Sequence, residues 1–254
     1  MQSEELWTPE EISTYVRWLN LVNSTGVPYA IGGAYAVHAH TGIWRNTKDL
    51  DLFLRPVDIQ PILRIMIDAG FETEVTNPAW LAKIRHRPYS MDLIFCLSNG
   101  GRVVDESFLS RRRRHLIQKI ETHVMAVEEL IATKAFIAKH YRFDGADIAH
   151  LIRSRSSEID WSHLLALFGD HYELLLWHLT FFSFVYPAET PKLPETLMQE
   201  LFERLRGRWK KPPLEDDFRG PLIDRSSFEI DQRMWGYSNP LKQVALIDGR
   251  GNAL

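Results

Sequence analysis

The sequence contains very little cysteine and no apolar run long enough to cross a membrane. Cys96 is the one cysteine among 254 residues, so an internal disulfide framework is excluded and a reducing compartment is compatible with the chain. The longest apolar candidate, residues 174–186, has about 13 residues and includes His178, which favours a buried helix. Residues 1–5 are acidic and lack an apolar core, so we expect no signal peptide. Together these features predict a cytoplasmic protein without membrane contact.

Charge of one sign is also scarce. The net charge is −3, which gives no strong overall attraction to nucleic acid. Apolar residues make up 45% and charged residues 25% of the chain, as in ordinary globular proteins. At this length the chain can form one large domain or two small ones.

Several familiar catalytic and metal-binding motifs are missing. The sequence has no Cys/His spacing for zinc, no Gly-x-Ser-x-Gly elbow and no Walker phosphate loop. Asp49 and Asp51 are followed by Phe53 and Arg55, which excludes a calcium-binding EF-hand loop. The chemistry must therefore be sought in other carboxylates and in glycine-containing turns.

A pair of aspartates lies in the alternating segment Asp49-Leu-Asp-Leu-Phe. Successive side chains point to opposite faces of a strand, so Asp49 and Asp51 share one face while Leu50 and Leu52 enter a core. Neighbouring carboxylates repel each other unless a cation lies between them. Carboxylates together with substrate phosphates suit Mg²⁺. A solvated strand end is the simpler interpretation of the acid pair alone.

A glycine pair, Gly32 and Gly33, lies between a predicted strand, residues 28–31, and a predicted helix, residues 34–40. Glycine lets the backbone approach a ligand closely, and the free N–H groups at a helix start attract phosphate oxygens. The glycine pair alone is usually only a turn. Followed by the acid pair, it predicts a site for a nucleoside triphosphate.

These residues resemble a known superfamily. Gly32-Gly33 followed by Arg45-x-Thr-Lys-Asp-Leu-Asp51 is similar to the nucleotidyltransferases typified by DNA polymerase β, and more narrowly to the small bacterial branch of AbiEii-type toxins. The resemblance implies a third carboxylate on a later strand, and Asp92 in Tyr89-Ser-Met-Asp-Leu-Ile-Phe fits that position. It also implies two Mg²⁺ ions held by the three acids. The implied nucleotide-binding residues of this part of the chain are Gly32, Gly33, Arg45, Thr47 and Lys48.

The resemblance continues downstream. Val127-Glu-Glu-Leu-Ile-Ala-Thr-Lys134 is similar to the AbiEii-type helix that brings a lysine to the nucleotide. Residues 142–151 take the place of that branch's Arg-Asp-x-x-Asp segment, which makes Asp147 a nucleotide-binding candidate. This match is partial, because Ala146 replaces a frequent arginine and His150 a frequent second aspartate.

The pattern of elements predicts an α+β fold. A helix capped by Thr8, a helix between Pro56 and Gly70, and strands at residues 71–75 and 82–95 suit a mixed sheet with helices on one face. The second strand region is interrupted at residues 86–88. We expect a nucleotidyltransferase core in residues 1–125 and a helical domain in 126–207 that closes the cleft. Residues 208–254 should form an extended tail packed on the body, since the tail contains several prolines and aromatic residues.

The predicted activity is Mg²⁺-dependent transfer of a nucleoside monophosphate from a triphosphate to an acceptor hydroxyl of RNA, protein or a small molecule. One alternative is a toxin that modifies tRNA and has an antitoxin protein as its partner. Another is a nucleotide- or RNA-binding module without catalysis.

Four consecutive arginines, Arg111–Arg114, form a basic run. A run of this kind is more often a solvated loop or the start of a helix. The alternative is that it holds a triphosphate or an RNA backbone.

Overall fold

The computed structural model describes residues 8–47, 49–99, 101–213, 217–241 and 244–254. The chain forms two compact units. Unit 1 comprises Met1–Ala126 and Gln243–Leu254, and unit 2 comprises Val127–Lys242. The final residues therefore return to the unit with which the chain begins.

Unit 1 alternates helices and strands. A 3₁₀ turn, Pro56–Asp58, precedes its third helix. Its elements are α1 (Pro9–Ser24), β1 (Ala30–Ile31), α2 (Gly33–Thr41), β2 (Asp49–Phe53), α3 (Ile59–Asp68), β3 (Glu72–Asn77), β4 (Leu81–His86), β5 (Tyr89–Ile94), α4 (Glu106–Ser110), β6 (Arg113–Ile117) and β7 (Ile120–Val124).

The strands of unit 1 form one seven-stranded sheet in the order β3-β4-β5-β2-β1-β7-β6. β2 runs parallel to β5 and β1 parallel to β7, whereas the remaining neighbours are antiparallel. The predicted mixed α+β core is confirmed. The parallel β2–β5 pair is the part of the sheet that brings distant acidic residues together.

The first helix begins as its sequence predicts. Thr8 caps α1 through its hydroxyl, which accepts a hydrogen bond from the backbone N–H of Glu11 at 3.1 Å. The buried face of α1 is centred on Tyr15 and Trp18, which are almost completely buried. The large aromatic side chains fill the core because they bury the most apolar area.

The core of unit 1 lies on one face of the sheet. Leu50 and Leu52 of β2 and Met91 and Leu93 of β5 are almost completely buried and belong to the same cluster as side chains of α1 and α3. Because side chains alternate along a strand, the residues between them point to the opposite face. That opposite face carries the acids.

Unit 2 is mainly helical. A short two-stranded hairpin follows the first helix of this unit. Its elements are α5 (Val127–Ala135), β8 (Ala138–Lys139), β9 (Arg142–Phe143), α6 (Gly145–Arg155), α7 (Trp161–Phe168), α8 (Tyr172–Val185), α9 (Glu195–Lys210) and α10 (Arg225–Trp235), with 3₁₀ turns at Gly169–His171, Pro187–Lys192 and Gly220–Leu222.

Two segments differ from the sequence prediction. The domain predicted to be helical in residues 126–207 contains strands, because α5 ends at Ala135 and the chain then enters the β8–β9 hairpin. The basic run was predicted to be a loop or a helix start, but its second half is a strand. Residues 113 and 114 begin β6. Gln118 and Lys119 turn the β6–β7 hairpin with positive φ angles of 48° and 66°. Glycine or asparagine normally marks such a turn, so the sequence did not reveal this hairpin.

The tail predicted as extended contains a helix. Asp224 caps α10 by accepting hydrogen bonds from the backbone N–H groups of Ser226 and Ser227, and Gly236 ends it in the left-handed conformation. The tail is also divided between the units, because residues 246–254 pack on unit 1. There the backbone N–H of Leu246 donates to Pro78 O at 2.8 Å, and Ile247 is fully buried.

Among the described residues, no helix is both long and apolar enough to cross a membrane.

Candidate active site

Strand pairing places the three predicted acids side by side. Asp51 of β2 lies directly opposite Asp92 of β5 in the parallel register, and Asp49 lies opposite Ser90. On the other side of β5, Lys83 of β4 lies opposite Asp92 in an antiparallel register. Residues directly opposite each other share a face of the sheet. One face therefore carries a transverse row of Lys83, Asp92 and Asp51.

A hydroxyl group joins two of the acids. Ser90 Oγ donates to Asp49 Oδ1 at 2.5 Å and lies 3.4 Å from Asp92 Oδ1. The carboxylates of Asp49 and Asp92 are thus both within reach of one oxygen atom. Their closeness has an electrostatic cost, because each carboxylate disfavours the charge of the other.

The third acid is held by a lysine. Lys83 Nζ donates to both oxygens of Asp92, at 2.7 and 2.8 Å. Burial raises the pKa of Asp92 above its usual value and the neighbouring Asp49 adds to the rise, although the hydrogen bonds from Lys83 and Ser90 oppose it. A raised pKa is what a group that accepts a proton in the reaction needs.

The second glycine lies against the second acid. Gly33 has a φ of +56°, and a Cβ built on it would be 1.8 Å from Asp51 Oδ2. A side chain is therefore excluded at this position both by conformation and by contact. The first residue of α2 consequently approaches the acidic face as closely as a backbone can.

The first glycine continues the site towards β1. Gly32 N–H donates to Asp51 O at 2.9 Å, and a Cβ on Gly32 would lie 2.5 Å from the ring of Phe53. Gly32 is also the N-cap of α2, and glycine cannot cap the helix with a side chain. The N–H groups of the first turn of α2, which carry partial positive charge, thus begin next to the strand that carries Asp51.

The residues between α2 and β2 are arranged around the acid pair. Thr47 Oγ1 accepts from the backbone N–H of Asp49 and donates to the carbonyl of Asp49, both at 3.2 Å. It therefore fixes the backbone where β2 begins. Arg45 is exposed in the preceding segment. Lys48 lies outside the described residues. Nucleotide binding by these three residues stays a prediction.

Unit 2 brings Lys134 and Asp147 together, but in a buried cluster. Lys134 Nζ lies 2.8 Å from Asp144 Oδ2 and 2.8 Å from Asp147 Oδ2, and all three residues are buried. Burial alone would raise the pKa of Asp144, but the bonds from Arg142 and Lys134 outweigh it and lower the pKa. In this arrangement Lys134 stabilises unit 2. Its predicted contact with nucleotide stays a prediction.

The donor set suits a hard divalent cation. Asp49 and Asp51 project from one strand face, and their oxygens are the ligands that Mg²⁺ prefers. With the side chains as they stand, no group of three or more His, Cys, Asp or Glu in the described part of the chain could hold a metal ion. In the same structure Lys83 engages both oxygens of Asp92.

The sequence prediction missed Lys83 and Ser90. The position of Lys83 becomes visible in the hairpin of β4 and β5. Its innermost pair is His86 opposite Tyr89, and counting outwards from that pair places Lys83 opposite Asp92. The signal needed was the strand register, because lysine two residues from arginine on a strand has no special meaning in a linear sequence.

The sequence matches one family model. The model is described as an uncharacterised nucleotidyltransferase, and it covers residues 19–170, which is more than half of the chain. The matched range includes the glycine pair, the three acids and Lys134. The search among curated proteins found no match.

Several solved structures are similar in fold. The solution structure of the antibiotic-resistance factor ANT(2″)-Ia is 16% identical, with a TM-score of 0.46 over 65% of this chain and 97% of that chain. The lincosamide antibiotic adenylyltransferase LnuA, crystallised with lincomycin, is 19% identical, with a TM-score of 0.41 over 57% and 96%. An antigenic nucleotidyltransferase-like protein from Paracoccidioides brasiliensis is 16% identical, with a TM-score of 0.45 over 73% and 93%. At these scores the similarities carry no information about the substrate.

Proposed function

The chain belongs to a family of uncharacterised nucleotidyltransferases, and we propose that it moves a nucleoside monophosphate from a nucleoside triphosphate to an acceptor hydroxyl in a Mg²⁺-dependent reaction. The observation that carries this proposal is the row of Asp51 and Asp92 beside Asp49, bordered by the start of α2 at Gly33. Carboxylates on one sheet face lie next to the backbone N–H groups at the start of α2, and such an arrangement would suit a metal ion and a phosphate group.

Asp49 and Asp51 are the residues that would hold Mg²⁺ on the triphosphate, and Asp92 is the candidate for a second ion. When bound, Mg²⁺ neutralises phosphate charge and polarises the phosphorus that is attacked. The pairing of Thr47 with the backbone of Asp49 keeps the first acid in position. The backbone of Gly33 lies close to the Asp51 carboxylate and limits the positions that this second acid can take.

The glycine pair would bind the outer phosphates. The N–H groups at the start of α2 carry partial positive charge, and neither Gly32 nor Gly33 has a side chain that would keep a phosphate oxygen away. The β- and γ-phosphates would therefore lie over the first turn of α2, leaving the α-phosphate above the acids.

In the chemical step, the acceptor hydroxyl oxygen forms a bond to the α-phosphorus. The bridging bond between the α-phosphorus and the β-phosphate oxygen breaks, and pyrophosphate leaves with that electron pair. The proton of the acceptor hydroxyl passes to Asp92, whose raised pKa suits a general base. The products are an acceptor that carries a nucleoside monophosphate, and pyrophosphate.

A label-transfer assay tests the proposal. The purified full chain is mixed with Mg²⁺ and each α-labelled nucleoside triphosphate in turn, together with total RNA, cell lysate or small polyhydroxylated compounds. We expect label in one acceptor class with the native protein. The Asp49→Asn/Asp51→Asn variant should reduce transfer to background while remaining folded, because removing neighbouring like charges does not harm the sheet.

A matched control separates the site from general charge loss. Asp68→Asn/Glu72→Gln removes two exposed acids of the same unit and should leave transfer unchanged. Full activity in a folded Asp49→Asn/Asp51→Asn variant would refute the assignment of the site. Saturable nucleotide binding without transfer to any acceptor would instead favour a binding module.

The toxin interpretation of the resemblance stays a prediction, as do tRNA as the acceptor and an antitoxin as the partner. A toxin of this type would use the same chemistry. The active-site variants therefore do not distinguish a toxin from another nucleotidyltransferase. Expression of the native chain should arrest growth if it is a toxin, whereas Asp49→Asn/Asp51→Asn should not. Normal growth during strong expression of active protein would exclude this interpretation.

A further inference from the structure

Lys83 binds the third acid in the way that a metal ion would. Its ammonium group contacts Asp92 Oδ1 at 2.7 Å and Asp92 Oδ2 at 2.8 Å. Charged hydrogen bonds to both oxygens occupy about half of the lone-pair directions of a carboxylate, and the ammonium charge repels a second cation. Asp92 therefore already has a cation that the protein itself supplies.

The position of this cation is fixed by the sheet. Lys83 pairs with Asp92 across β4 and β5, and Asp92 pairs with Asp51 across β5 and β2. The charges along this row are thus positive, negative and negative. Asp92 therefore lies between Lys83 on one side and Asp51 on the other, and Asp51 is one of the two acids that would hold an ion.

We propose that Lys83 is a positioning residue that keeps Asp92 in place, so that Asp49 and Asp51 bind one divalent ion and a second ion binds Asp92 only by displacing the Lys83 ammonium. This inference rests on the proposed function, because it concerns the same three acids. It adds an order of events: without nucleotide the site takes one ion, and the triphosphate supplies the further ligands that make the second ion competitive.

Displacement is physically accessible. The side chains of Lys83 and Asp92 are 20% and 15% exposed, so the ammonium can leave Asp92 for water without unfolding the strand. A lysine ammonium is compact and strongly hydrated on a flexible stem. Competition between the ammonium and a divalent ion therefore requires only a side-chain rotation, not a change in the sheet.

The same strand offers a matched control. Arg85 follows Lys83 by two residues and so shares its face, but it pairs with Glu74 at 2.9 Å. Arg85→Gln removes one positive charge from the same face of β4 without removing the hydrogen-bond partner of Asp92. Any effect specific to Lys83 must exceed the effect of Arg85→Gln.

The test counts bound Mn²⁺ by electron paramagnetic resonance of the free ion, with the purified full chain and no nucleotide. We expect one ion on the native protein in a concentration range where Lys83→Gln binds two, with the second ion at least tenfold tighter than in the native protein. Lys83→Arg and Arg85→Gln should behave like the native chain. Lys83→Gln/Asp92→Asn should return to one ion, and thermal melting should show that each variant is folded.

The outcomes separate this inference from the proposed function. If the native protein binds one ion that Asp49→Asn/Asp51→Asn abolishes, and Lys83→Gln still binds one, then the metal site stands and Lys83 does not control it. If two ions bind the native chain without nucleotide, the inference is likewise overturned. If neither the native chain nor Lys83→Gln binds Mn²⁺, the metal site of the proposed function fails together with it.

Discussion

Gly33 lies against the carboxylate of Asp51 at a distance that leaves no room for a side chain. Its φ of +56° belongs to the left-handed region, and its missing Cβ would fall 1.8 Å from an Asp51 oxygen. Two constraints thus meet at one residue, one of conformation and one of contact. Gly26 has a similar φ of +69° but nothing within 4 Å of a Cβ, so the two constraints can be measured separately.

Gly33→Ala should therefore abolish nucleotidyl transfer, since Asp51 must move to make space for the methyl group. It should also lower the free energy of unfolding by clearly more than Gly26→Ala, which carries only the conformational cost of about 1 kcal/mol. Denaturant unfolding and label transfer measure the two effects. Equal stability loss in both variants with transfer retained would show that Asp51 accommodates the methyl group.

The α5–α6 pair is the element on which the predicted lysine depends. Lys134 comes from the last turn of α5, and its ammonium is enclosed by Asp144, the N-cap of α6, and by Asp147 in the first turn of α6. Acids at a helix start are favoured by the helix dipole. The lysine forms an ion pair with each of them and so joins the two helices within unit 2.

Lys134→Met should destabilise unit 2 by about 3 kcal/mol, because it removes the ammonium that pairs with the buried carboxylates of Asp144 and Asp147. Lys192→Met is the control: Lys192 pairs with Glu189 at the surface, and its loss should cost less than about 0.5 kcal/mol. Chemical denaturation gives both values. If Lys134→Met is as stable as the native chain but no longer binds nucleotide, the sequence-based prediction of a phosphate contact is favoured.

At the scale of the whole molecule, unit 1 is built from both ends of the chain. Ile247 is fully buried in the same cluster as α1 and α3. Gly251 has a φ of +85°, and a Cβ on it would lie 2.7 Å from Leu63 of α3. Residues 246–254 thus pack against α3 and contribute to the same core as the earlier part of unit 1.

Ile247→Ala should lower the free energy of unfolding by about 2–4 kcal/mol, since it leaves a cavity in a packed core. Leu254→Ala, at a position that is 79% exposed, should change stability by less than about 0.5 kcal/mol. Thermal melting of the full chain compares the two variants. A small effect of Ile247→Ala would mean that the core closes around the missing atoms.

Local patterns in the sequence predicted most of the elements of unit 1 that carry the candidate site. Alternation of aspartate and leucine in β2 placed Asp49 and Asp51 on one face, and the observed register agrees with it. Thr8 predicted the start of α1 because capping involves residues only three positions apart. The sequence did not predict the β6–β7 hairpin, because Gln118 and Lys119 are not typical turn residues. Both nevertheless adopt positive φ angles between the paired strands.

The sequence by itself determined the elements that follow short-range rules: the acid-bearing strand, the glycine turn before α2, and a family match that spans both. The tertiary structure alone decided which charges meet. Lys83 lies on Asp92 because β4 and β5 pair in one register, and Lys134 lies between Asp144 and Asp147 because α5 packs on α6. Such contacts depend on the registers and packing of whole elements, which no local spacing of residues encodes.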